Sequence, residues 1–259
     1  MRKFLLLTCL LLTCLLQAQD LSSFQKHVII RNNDTLPYRV LLPKDYDASK
    51  KYPLYLFLHG AGERGRDNEA QLIHGAKMWL RDSVRQNYPA IVVFPQCPAE
   101  SFWSNVQFTQ DEKGFRNFNF QEDGEPTKAM KMLLGLLTVL DDSYKIKKGQ
   151  RYVAGLSMGG MGTFELVRRK PKYFAAAVAI CGGAHPATAK QMRKTAFRVF
   201  HGAKDNVVPW QLSEQIVNAL NKENGSVLFK LYPNATHNSW DSAFAEPDFF
   251  KWMFSKKKK

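Results

Sequence analysis

Arg151–Gly160 reads RYVAGLSMGG, a strand-like run that breaks into Gly155-Leu156-Ser157-Met158-Gly159. Tyr152-Val153-Ala154 suits the strand before a tight turn, and Gly162–Val167 (GTFELV) suits the helix after it. A G-x-S-x-G segment in that setting holds a serine on a sharp strand-to-helix turn, its oxygen pushed clear of the backbone. The flanking glycines remove side chains that would clash there.

Two partners follow in chain order. Phe197–Gly202 (FRVFHG) reads as a buried strand, and Asp205 lies just past it in AKDNVVP. Val227–Tyr232 (VLFKLY) is another strand run, and His237 lies past it in PNATH. Serine, then aspartate, then histidine, each beyond the carboxyl end of a strand, is the order of an α/β-hydrolase triad. That edge is where an open parallel sheet places its ligands. Pro53–His59 (PLYLFLH) runs into Gly60-Ala61-Gly62, small residues that let backbone N–H groups approach a developing oxyanion. The expected donors are the N–H groups of Ala61 and Met158.

The segments HGAGERGRDNEAQLIHGA (His59–Ala76), FPQCP (Phe94–Pro98), GLSMGGMGTFEL (Gly155–Leu166), HGAKDNVVP (His201–Pro209) and THNSWD (Thr236–Asp241) together resemble a secreted α/β-hydrolase group. It comprises predicted peptidases, phospholipase/carboxylesterase-like proteins, and relatives of feruloyl esterases and polyhydroxybutyrate depolymerases. The resemblance implies an α/β-hydrolase fold and a serine mechanism. It points to carboxylic esters, including acyl or feruloyl groups on polysaccharide, as substrate. A shared fold hosts many ester chemistries, so the substrate is the least specific of these expectations.

The 259 residues are 45% hydrophobic, enough for one large α/β core over residues 19–259. Met1–Ala18 reads as a secretory signal peptide: Arg2 and Lys3, the apolar run Phe4–Leu16, then Gln17-Ala18-Gln19 for cleavage. That predicts a secreted or periplasmic protein with no transmembrane segment. A lipid anchor at Cys14 fits less well, because Leu12-Thr13 is not the small-residue lead such a site needs. The net charge is +14 for the whole chain and +12 without residues 1–18. Export and the scatter of the basic residues argue against nucleic acid. The Lys256–Lys259 run reads as a solvated end. Cys97 and Cys181 remain after the leader. If the usual strand order holds, two strands separate them and place them ~14 Å apart, beyond disulfide reach. Free thiols are expected.

The remaining elements alternate. Lys26–Arg31 and Tyr38–Leu42 read as an opening hairpin. Ala90–Pro95 and Ala176–Ile180 read as strands. Glu69–Arg81, Glu125–Leu140, Gln211–Asn221 and Pro247–Phe254 read as helices. Strands alternating with helices predict a mostly parallel sheet with helices on both faces. Glu100–Gly124 lacks clear periodicity but carries six aromatic residues, and reads as either a lid beside the serine or a loop anchored by its rings. Trp103 and Trp240 are the candidate substrate contacts. His59 and His201 read as hydrogen-bonded structural residues, and Asp241 as a competitor to Asp205. Glu63, Arg64, Asp67 and Asn68 read as an ion-paired loop shaping the oxyanion turn. No cluster suggests a metal, and no cofactor is implied. A peptidase on the same triad and a non-catalytic carbohydrate-binding pseudoenzyme are the competing readings.

Overall fold

The computed structural model describes residues 21–31, 33–112 and 116–258. The leader reading, Met1–Ala18, lies outside them. In chain order the elements are β1 (Gln25–Arg31), β2 (Asp34–Leu41), β3 (Tyr52–Leu58), α1 (Ala76–Trp79), α2 (Asp82–Asn87), β4 (Ile91–Pro95), β5 (Val106–Gln110), β6 (Arg116–Phe120), α3 (Lys128–Ser143) and β7 (Ile146–Leu156). They continue with α4 (Met158–Arg169), β8 (Ala176–Ile180), α5 (Ala189–Met192), β9 (Ala196–Gly202), α6 (Gln211–Lys222), β10 (Val227–Tyr232), α7 (Trp240–Phe244) and α8 (Phe249–Ser255).

Eight strands form one sheet in the order β1-β2-β4-β3-β7-β8-β9-β10. From β4 to β10 every neighbouring pair is parallel. The β1–β2 hairpin closes one edge antiparallel. This is the α/β-hydrolase architecture. The strands of its middle read as continuous apolar runs because both faces are covered. In β3, Leu54, Leu56 and Leu58 join the layer that holds Leu133 of α3, Phe164 of α4 and Ile216 of α6. Tyr55 and Phe57 point the other way, to Trp79 of α1, Val84 of α2 and Met253 of α8. No helix among the described residues is long and apolar enough to cross a membrane.

α3 shows how the sequence builds one of these layers. Ala129, Leu133, Leu136, Leu137 and Leu140 are all buried on one stripe. Burying each large side chain is worth ~1.5–3 kcal/mol, so the stripe outweighs the ~1 kcal/mol of the cap. The helix starts at Lys128 rather than Glu125 because Thr127 is the cap, its hydroxyl accepting from the Met130 amide at 3.1 Å.

Two expectations need correction. Glu69–Arg81 is not one helix but a 3-10 turn, Ala70–Leu72, followed by the single turn α1. Gly75 interrupts it at φ 79°, where a Cβ would also stand 3.1 Å from the Phe57 ring. Glu100–Gly124 is not a structureless loop. It carries the antiparallel ribbon β5–β6, held by a run of rings with centroids 5.0 Å apart for Phe102–Phe108 and 5.3 Å for Phe108–Phe118. The cysteine expectation holds: β3 and β7 lie between the strands that lead into Cys97 and Cys181, and both thiols are free and buried.

Candidate active site

Ser157 occupies the turn between β7 and α4 with φ 52° and ψ −118°. A residue with a side chain is held there at a cost of ~1–3 kcal/mol, so the surroundings must enforce it. Its amide donates to the Ile180 carbonyl at 2.8 Å. The two glycines of the motif are required by close packing of backbone on backbone. A Cβ on Gly155 would lie 2.1 Å from the Gly159 carbonyl oxygen, and one on Gly159 would lie 1.9 Å from that of Leu58.

The three predicted polar residues converge. His237 Nε2 lies 3.0 Å from Ser157 Oγ, and His237 Nδ1 lies 2.8 Å from Asp205 Oδ2. The loops after β9 and β10 can meet because residue 202 is glycine: a Cβ there would stand 2.4 Å from the carbonyl oxygens of Ala235 and Thr236. Asp205 Oδ1 accepts from the amides of Val207 and Val208, each at 2.9 Å. Burial alone would raise the Asp205 pKa. Hydrogen bonds from His201, His237 and the two amides outweigh it and hold the carboxyl well below the usual carboxylate range. Asp241 is exposed, beyond the triad, with its carboxylate 3.4 Å from the Asn238 side-chain amide.

Ala61 opens the 3-10 turn after β3, and Met158 is the first residue of α4. N–H groups at such positions have no partner within their helix and are open to an anion. His59 fixes the first of them. Its Nδ1 donates to the Gly60 carbonyl at 2.6 Å, and its Nε2 accepts from the Cys97 amide at 2.9 Å. The Gly60 carbonyl and the Ala61 N–H belong to one planar peptide, so holding the first aims the second. Burial depresses the His59 pKa to about 4, in keeping with the neutral ring this pairing needs.

The two tryptophans separate. Trp240 is half-buried and stands edge-on to His237, centroids 5.4 Å apart, with His74 on it at 5.1 Å. Trp103 is fully buried, and this corrects its reading as a substrate contact. A Cβ on Gly162 would lie 2.4 Å from that of Trp103, so the ring is packed against α4 inside the core. The Glu63–Asn68 loop is tied to backbone more than to opposite charge. Arg64 donates to the Ala61 carbonyl, and Asp67 accepts from the amides of Glu69 and Ala70.

Sequence reasoning passed over one neighbour of the triad. The ligating atoms of Cys181, Asp205 and His237 lie within 4.8 Å of one another. Cys181 follows β8 with φ 41°, directly before Gly182-Gly183, and burial pushes its thiol pKa far up. Asp205 and His237 are already engaged with each other.

The family model described as "Putative esterase" matches residues 31–242. The chain belongs to this esterase family. It is 24% identical over 196 residues to "Probable feruloyl esterase C" of Aspergillus terreus, covering 76% of this chain and 64% of that protein. The same-named protein of Aspergillus oryzae is 23% identical, covering 73% and 62%. The chain thus spans a little under two thirds of the length of the curated relatives it matches. Among solved structures, a thermostable esterase superposes with a TM-score of 0.80 at 33% identity, covering 91% of this chain and 63% of that one. A CE1 ferulic acid esterase from Anaeromyces mucronatus, in complex with ferulic acid, superposes with a TM-score of 0.65 at 15% identity, covering 90% of each, a likeness of fold.

Proposed function

We propose that this protein is an exported serine hydrolase of carboxylic esters, acting on acyl or feruloyl groups attached to carbohydrate. The observation that carries the reading is the unbroken chain Ser157 Oγ–His237–Asp205 at 3.0 and 2.8 Å, on an elbow that forces the serine outward. Ser157 Oγ attacks the acyl carbon while His237 Nε2 takes its proton. The tetrahedral oxyanion is held by the Ala61 and Met158 amides. Asp205 keeps Nδ1 protonated and stabilises the charged ring. Collapse releases the alcohol, which receives the proton from His237, and leaves an acyl-serine. Water, activated by the same ring, then frees the acid. Trp240 forms a wall of the cleft beside His237, suited to a flat acyl group or a sugar face. The feruloyl preference is supported by the named relatives.

The test is labelling of Ser157 by a fluorophosphonate probe, with kcat/KM measured for methyl ferulate, p-nitrophenyl acetate and short peptide amides. Labelling with ester turnover well above amide turnover is expected. Faster amide hydrolysis would make the protein a peptidase, and no labelling would make it a binding protein.

A further inference from the structure

Behind the triad, a second histidine reaches the catalytic carboxylate from the core side. His201 is the penultimate residue of β9 and is fully buried. Its Nε2 lies 2.9 Å from the Val208 carbonyl and 3.2 Å from Asp205 Oδ2. A carbonyl can only accept, so Nε2 carries the proton and shares it between these two oxygens. The other ring nitrogen, which accepts, stands 2.8 Å from Ser213 Oγ on α6, and the single proton of that hydroxyl is shared between this nitrogen and the Gly182 carbonyl 2.6 Å away. The ring is therefore fastened to α6 and, through Ser213, to the loop after β8.

We infer that His201 is a positioning residue for Asp205, a role that rests on the serine-hydrolase reading above. The carboxylate has four donors: two amides on Oδ1, and His237 Nδ1 and His201 Nε2 together on Oδ2. The amides alone leave the carboxyl plane able to tilt on its Oδ1 side. His201 removes that freedom and keeps Oδ2 on the line to His237. Because His201 is fully enclosed, it has no route to substrate and acts only through Asp205. Its loss must therefore fall on turnover rather than on binding. A core histidine that merely filled space would act through stability instead.

The geometry supplies a discriminating pair of substitutions. The terminal amide of glutamine falls near the Nε2 position and can still donate to Asp205. That of asparagine falls near Nδ1 and keeps only the Ser213 side. His201→Asn and His201→Phe are expected to lower kcat by on the order of ten- to a hundredfold, the effect of a misplacement near 1 Å, with KM within about threefold. His201→Gln recovers most of that loss. Ser213→Ala, which unfastens the ring on its far side, lowers kcat by a smaller factor. Melting temperatures of all four are recorded alongside. Equal turnover in the Asn and Gln variants overturns the inference. So does a kcat that stays unchanged in Ser213→Ala while the His201 variants lose activity only in step with melting temperature. A Ser157→Ala enzyme that kept full ester hydrolysis would sink the serine-hydrolase reading itself, independently of this series.

Discussion

Trp103 stands edge-on to His59 inside the core, ring centroids 5.5 Å apart with planes at 69°. The indole sits behind the turn that follows β3 and against the first turns of α4, where Gly162 makes room for it. It braces two parts of the site from within and borders no open space. Trp103→Ala should therefore cost ~3–5 kcal/mol of stability, the usual penalty for an aromatic cavity. Activity on methyl ferulate and p-nitrophenyl acetate should fall by one common factor. Paired kcat/KM values and a melting curve decide it: a changed ratio at unchanged stability would return the ring to the substrate pocket.

Trp240 should behave in the opposite way. It is partly open and lies against His237. Its replacement by alanine should alter the ratio of kcat/KM between aryl and acetyl esters by on the order of tenfold, with little change in melting temperature. A ratio equal to wild type would remove Trp240 from the cleft wall.

The contrast between these residues marks what a linear reading can reach. Both tryptophans follow strand ends, and sequence position alone favours Trp103, which follows FPQCP, over Trp240. Burial is decided by what packs opposite, here a glycine in α4. The three strand-end residues were legible because a parallel sheet carries its loops to one edge, so order along the chain becomes proximity in space. Its place near a strand end marks His201 as a hydrogen-bonded structural residue, but the bond to Asp205 is not legible there, since it depends on how β9 meets the loop that follows. The sequence marks Cys181 only as a buried thiol, because nothing local shows that β8 ends beside Asp205 and His237. The break at Gly75 is not legible because the apolar spacing of Glu69–Arg81 suits a helix, and the left-handed φ has no local signal beyond the glycine itself. The ribbon β5–β6 does carry a period-two signal, Phe118-x-Phe120, too short to stand out beside a long aromatic segment.

The triad should act as a unit. Ser157→Ala and His237→Ala are each expected to lower kcat by on the order of 10⁴–10⁶, and the double variant by little more. Asp205→Asn should also be severe, while Asp241→Asn should be mild, since its carboxylate is exposed and bonded only locally. Steady-state kinetics on p-nitrophenyl acetate test all four. A crippled Asp241→Asn beside a mild Asp205→Asn would reverse the assignment of the acid.

Both remaining thiols should be silent in the folded protein. Burial raises the Cys97 pKa to about 12 and pushes that of Cys181 higher still, so neither offers thiolate near neutral pH. Protein lacking residues 1–18 should titrate two thiols when denatured without reductant and none quickly when native. Ester hydrolysis should survive a thiol-blocking reagent. Rapid native labelling of Cys181 with loss of activity would show that the floor of the site opens in solution.

His59 should leave a signature in the acid stability of the fold. Its folded pKa is depressed to about 4 by burial, while in the unfolded chain it titrates near the ordinary ~6.5. At pH 7 the ring is neutral in both states. Below ~6.5 the unfolded chain binds a proton that the native ring refuses until about 4, so acidification favours unfolding across that window. Between pH 7.5 and 5 the loss from this one group is about 2 kcal/mol. His59→Asn should be less stable than wild type at pH 7.5, because its amide falls near Nδ1 and leaves the Cys97 amide, bonded to Nε2 in the wild type, without its partner. It should also lose less on going to pH 5. Urea unfolding of both proteins at pH 7.5 and pH 5.0 measures the two slopes. Parallel slopes would mean that His59 takes up its proton inside the fold, and the neutral ring that aims the Ala61 amide would then be the wrong description of the turn.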